Sequence, residues 1–103
     1  MDPTREKYKR VRGLILKMLA FEHPRALDDM VLYALLDDMG YPISQEEYRS
    51  HLAYLEDETK GYLEEKKKKA KGVEIVFVKI TPKGLDLLDH FTPECDPGVD
   101  VNF

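Results

Sequence analysis

The chain has 103 residues, 43% hydrophobic and 35% charged, with a formal net charge of −4 and one cysteine. That length supports one domain with one modest core, and the negative sum excludes a protein that coats nucleic acid through bulk attraction. Cys95 alone forms no intrachain disulfide, no apolar run approaches the roughly 20 residues of a membrane span, and the N-terminus opens into charges instead of a signal segment, so a cytoplasmic protein without membrane attachment is expected.

From Thr4 to about Glu22, Tyr8, Val11, Ile15, Met18 and Leu19 recur at three- and four-residue steps, which predicts a first helix with these residues on one face. Leu14, Leu16 and Phe21 widen the stripe beyond one core face and point to a second buried surface, such as a dimer contact. His23-Pro24 ends the helix. A second helix is predicted from about Asp28 to Met39, capped by Asp28 or Asp29 and striped by Met30, Val31, Ala34, Leu35 and Met39.

The stretch Gly40 to Tyr48 ends one helix and starts another. Gly40 suits the left-handed closing conformation and Pro42 blocks continuation. Ser44 is placed to accept the Glu47 N–H while the Glu47 carboxylate reaches back, and Ile43 is spaced to pack on Tyr48. A third helix from Gln45 to about Thr59 turns Tyr48, Leu52 and Leu55 inward and leaves Gln45, Glu46, Arg49, Ser50, Ala53 and Asp57 nearer to solvent.

After Lys60-Gly61 the period shortens. Tyr62 to Lys66 predicts a strand, the lysine run through Gly72 a loop, and Val73 to Ile80, rich in β-branched and aromatic residues, a returning strand. Thr81 before Pro82 is a strong helix start, and Leu85, Leu87, Leu88 and Phe91 give a short fourth helix. The domain is expected over residues 4–91. Residues 92–103 read as an acidic, flexible tail unless Val99, Val101 and Phe103 dock.

Charge is unevenly spread. Arg5, Lys7, Lys9, Arg10 and Arg12 crowd the first helix, and Lys66, Lys67, Lys68, Lys69 and Lys71 the hairpin, so a polarised surface is expected. Such a lysine cluster contacts phosphates or keeps a hairpin tip solvated and unpaired. Arg49 is placed to pair with Glu46, Asp57 or another surface acid. His23, His51 and His90 have no spacing that gathers them with Cys95 into a metal site, and surface or boundary positions are expected for them. With no phosphate loop, nucleophile elbow or glycine-rich fingerprint, neither catalysis nor a cofactor is expected. Tyr8, Tyr33, Tyr48 and Tyr54 fit core or core-margin positions.

Three helices, a two-stranded hairpin and a closing helix make an α+β, mostly α chain, and with the tight turn between the second and third helices it resembles the winged helix-turn-helix fold. The passage from Gly61-Tyr62-Leu63 into the hairpin and from Ile80-Thr81-Pro82-Lys83-Gly84-Leu85 out of it is similar to that of the PadR and MarR families of bacterial transcriptional regulators. The long dimerisation helices of those families are absent or reduced to the region after Pro82.

The resemblance implies a small transcriptional regulator that binds double-stranded DNA sequence-specifically as a homodimer, with the third helix in the major groove and the wing on the backbone or in the minor groove. Gln45, Arg49, Ser50 and Ala53 would then read bases, Lys66, Lys67, Lys68, Lys69 and Lys71 would touch phosphates, and the first helix, with Lys7 and Arg10, would lie on neighbouring phosphates. One departure stands out: between Ser44 and Thr59 there are five acids and one base, Arg49. The alternative is a winged-helix module that uses this acidic helix to bind a protein partner.

Overall fold

Residues 3–89 and 96–101 are described by the computed structural model. They form a small α+β fold, about half helical, with helices α1 (Pro3–Glu22), α2 (Asp29–Asp38), α3 (Gln45–Glu56) and α4 (Pro82–Leu88) and strands β1 (Leu27–Asp28), β2 (Leu63–Ala70) and β3 (Val73–Ile80). The sheet is antiparallel in the order β1-β3-β2.

The wide stripe of α1 follows from its surroundings. Val11, Leu14, Ile15, Leu16 and Leu19 are all buried, because α2, α3, α4 and β3 pack around this helix. A helix enclosed on several sides needs apolar residues around most of its circumference. Leu14 and Leu16 therefore belong to the chain's own core and do not mark a dimer contact. Phe21 is 87% exposed, and Phe91 lies outside the described residues. Leu32 and Leu36, Tyr48, Leu52 and Leu55, and Val78 and Ile80 close the core from α2, α3 and β3. Each such side chain contributes roughly 1.5–3 kcal/mol by leaving water.

The α2–α3 turn forms as its residues require. Gly40 takes φ +92, its N–H donates to Asp37 O at 3.0 Å, and the Tyr41 N–H donates to Leu36 O at 3.0 Å. This pair of bonds satisfies the last carbonyls of α2. Ser44 Oγ then accepts the Glu47 N–H at 3.1 Å and caps α3. The Glu47 carboxylate does not complete the reciprocal bond; it lies 3.3 Å from His51 Nε2, one helical turn on. At the start of α2 the cap is Asp28, which accepts the Met30 N–H at 2.9 Å. Helix α3 ends at Glu56, earlier than its apolar period suggests. The Asp57 carboxylate accepts both the Thr59 N–H and hydroxyl, a local turn that competes with helix.

The hairpin departs from expectation in one respect. Lys66 to Lys69 form part of β2, not a loop, paired in register from Leu63↔Ile80 to Ala70↔Val73. Strand β3 is rich in Val, Ile and Phe and imposes the pairing that lysines alone do not favour. The loop is only Lys71 and Gly72, both at positive φ (52 and 79), the geometry of the two-residue turn that matches hairpin twist. Strand β1 has only two residues, too few to show a period, and pairs through Leu27↔Val78 and Asp28↔Phe77.

Residues 96–101 dock on the body. Asp96 is buried, and its carboxylate accepts from Tyr54 Oη at 2.9 Å, Gly98 N at 2.8 Å and Tyr62 Oη at 3.0 Å, with Lys60 Nζ at 3.3 Å. Burial opposes its charge, but those four donors outweigh it and hold the carboxyl below its ordinary range. Val99 is buried beside this clasp, Val101 packs at the core margin, and the Asp100 N–H donates to Lys9 O at 3.0 Å. Asp96→Ala is expected to lower stability by roughly 2–3 kcal/mol, since it leaves two tyrosine hydroxyls and an ammonium without their acceptor. Urea denaturation measures this, and a loss below about 0.5 kcal/mol would show that the segment is not held there.

Candidate nucleic-acid interface

Helix α3 presents Gln45, Glu46, Ser50 and Ala53 to solvent, as its period predicts. Among the described residues, the side chains of Gln45 and Ser50 make no hydrogen bond. On one side, Glu46 and Ser50 adjoin Tyr8 and Arg12 of α1 across a shallow depression, and Lys7 lies close enough to act on the charge of His51. On the other side stands the hairpin.

Arg49 is not a free base reader. Its guanidinium pairs with the carboxylate of Asp29, which is 3% exposed, and reaches Glu65 Oε1 at 3.8 Å. Its partners are thus a buried acid at the start of α2 and an acid of β2, neither of them its helical neighbours. The Tyr48 hydroxyl adds a bond to the Asp29 carbonyl at 2.9 Å.

Most of the acidity of α3 is also committed. Glu47 faces His51, which is buried and is not the boundary residue its sequence position suggests. Arg12 Nε donates to His51 Nδ1 at 3.1 Å, which leaves Nε2–H to donate toward Glu47. Burial, followed by the charge of Arg12, lowers the imidazole pKa against the pull of Glu47, so the ring stays neutral. Glu56 is partly buried, and its Oε1 has no hydrogen-bond partner. Burial first, then the charge and hydrogen bond of Glu65, push its carboxyl up to about 7. Of the acids in the first turn, Glu46 alone is fully exposed.

Strand alternation divides the lysine run. Glu65 lies toward Arg49, so Lys67 and Lys69, two and four residues on, share the face that looks toward α3. Lys66 and Lys68 lie on the opposite face with Phe77 and Lys79, and Lys71 stands at the tip. On α1, Lys9 approaches Glu6 at 3.4 Å, Arg10 approaches Asp100 at 4.0 Å, and Arg12 lies 3.7 Å from the centre of the Tyr54 ring. The expected cations therefore separate into an α3-facing set, Lys7, Lys67 and Lys69, and an outer set, Lys66 and Lys68; Arg10 and Arg49 are engaged by acids.

Sequence reading missed the roles of Asp29, His51, Glu56 and Asp96. Only the Glu47–His51 pair left a local signal, a four-residue helical spacing. Among the described residues no His, Cys, Asp or Glu cluster suits a metal ion, and no helix is long and apolar enough to cross a membrane; His90 and Cys95 lie outside those residues. Compared with known protein families and with curated protein sequences, the chain gives no match.

Arg49→Ala is expected to cost about 1–3 kcal/mol, because it leaves the Asp29 carboxylate buried and unpaired; a half-exposed guanidinium keeps the figure below that of a fully buried pair. An unchanged urea midpoint would remove the clasp from the account. Glu56 holds a proton in the native state that the unfolded chain releases. Its contribution to stability is present at acid pH and is lost as pH rises from about 4.5 to about 7. His51, held neutral, acts in the opposite sense on acidification. The difference between wild type and Glu56→Gln isolates the carboxyl: the variant should gain on wild type as pH rises through that window, and a pH-independent difference would refute the assignment.

Proposed function

We propose that this chain is a winged helix-turn-helix protein that binds double-stranded DNA sequence-specifically, as a homodimer, and acts as a small transcriptional regulator without catalytic activity, as its resemblance to PadR and MarR regulators implies. Support comes from the element order. A short strand lies between α1 and α2, a tight turn joins α2 to α3, and a hairpin returns through the sheet order β1-β3-β2 to a closing helix.

The observation that carries the reading is the exposed start of α3, where the side chains of Gln45 and Ser50 make no hydrogen bond, together with the hairpin face bearing Lys67 and Lys69 on the other side of that helix. In this reading α3 enters the major groove, the Gln45 amide meets a base edge, and the lysines and Lys7 meet phosphates. The acids argue against it less than their number suggests, since Glu56 keeps its proton to about 7 and the Glu47 carboxylate is turned to accept from His51. Docking of a basic protein partner on the same helix is the second reading, favoured by exposed Glu46 and by Asp28 and Glu74 in the groove beside Arg49.

Mobility-shift titration with random duplex of about 25 base pairs at low salt separates the two. Lys67→Ala with Lys69→Ala is expected to weaken retardation at least about tenfold and to lower the salt slope by about two. Gln45→Ala should relax the preference for duplexes selected from a random pool. Unchanged affinity in the lysine variant, or no retardation of the wild type at low ionic strength, overturns the reading in favour of a protein partner. Light scattering under the same conditions reads the dimer, for which Phe21 is the exposed apolar candidate on α1.

A further inference from the structure

The outer face of the sheet carries charge that duplex binding by α3 does not use. Antiparallel register sets Lys66 opposite Phe77 and Glu64 opposite Lys79, and alternation puts Lys68 beside them on the same face. Together with Arg25, from the connection between α1 and β1, these residues line an open cleft of about 410 Å³. Four cations against the one carboxylate of Glu64 leave a surplus of three positive charges. Among the described residues, Arg25, Lys66, Lys68 and Lys79 make no ion pair. The Lys68 ammonium lies 5.6 Å from the centre of the partly exposed Phe77 ring.

We propose that this cleft binds single-stranded nucleic acid, with the phosphates along Lys66 and Lys68 and one base on the face of Phe77. The proposal is independent of the duplex reading, because it uses the opposite face of the hairpin. Unpaired cations on a flat strand favour a polyanion. Lys66 and Lys68 stand about 6.6 Å apart along β2, a spacing close to that of successive phosphates in an extended strand. An acidic peptide would satisfy the ammonium groups but has no use for the aromatic ring between them. Base stacking on an aromatic side chain within a basic groove is the usual means of holding single strands without sequence preference. A duplex keeps its bases stacked inside and has no base to offer Phe77. The Lys68 contact with the ring is weak at an exposed site, and its flexible stem lets the ammonium move from ring to phosphate when a base arrives.

Fluorescence anisotropy with a labelled oligothymidylate of about 12 nucleotides tests the assignment at low salt. Lys66→Glu with Lys68→Glu is expected to weaken binding at least about tenfold, whereas Lys67→Glu with Lys69→Glu, on the α3 face, should change it less than about threefold. Since the chain has no tryptophan, Phe77→Trp places a single reporter in the cleft. Its emission should be quenched by the oligonucleotide and unaffected by polyglutamate of the same charge. Equal losses in the two lysine variants, an emission indifferent to the oligonucleotide, or polyglutamate competing as well as the single strand would overturn the proposal, the last in favour of an acidic protein. Loss of duplex retardation in the Lys67, Lys69 variant with single-strand binding intact would leave this inference standing.

Discussion

A carboxylate as deeply buried as that of Asp29 keeps its place only with a positive partner, and Arg49 is that partner. Much of the molecule is tied at this point. Asp29 opens α2, Tyr48 bonds its carbonyl from the first turn of α3, and Arg49 also reaches Glu65 on β2. The angle between α2 and α3 is thus held from two ends: by the bonds around Gly40 and Ser44 at the turn, and by this clasp at the far end of α2. The hairpin is drawn toward the same helix. The side chain best suited by chemistry to read guanine serves instead to hold three elements together.

Net charge is a poor guide to the fields that a partner of this protein meets. The formal sum is −4, yet on α3 burial beside Glu65 keeps a proton on Glu56 up to about 7. The cations are rearranged as strongly. Four consecutive lysines look like one patch in sequence, but a strand sends neighbours to opposite sides and produces two. One faces α3 and the other surrounds Phe77 with Lys79 and Arg25.

The C-terminal segment makes a similar use of polar groups that look superficial in sequence. Asp96 gathers two tyrosine hydroxyls, an ammonium and a backbone N–H, while Arg10, Arg12 and the Lys9 carbonyl receive residues 98–100. Gly98 is required here, since any side chain would run into the Tyr54 hydroxyl. The basic start of α1 is in large part a dock for this segment, which leaves less of it for outside partners. Val99 adds buried apolar area where polar bonds alone would stabilise little.

Much of the local chemistry was legible. The periods of α1 and α3, the Gly40 closure, the Ser44 and Thr81 caps and the returning strand appear where short-range rules place them, because capping, turn geometry and amphipathic spacing act over four or five residues. The period of α2 misleads: Met30, Val31, Ala34 and Met39 of the expected stripe are exposed, and Leu32 and Leu36 face the core, since the side of a short, nearly all-apolar helix that is covered is set by its neighbours. What those rules do not contain is which distant residues meet. The two residues of β1, the pairing that makes a strand of the lysine run, the union of Arg49 with Asp29 twenty positions away and that of Asp96 with Tyr54 and Tyr62 were decided by tertiary packing. The physical reason is common to all of them: burial removes water from a charge or a backbone edge, and the group must then find its partner wherever the fold provides one.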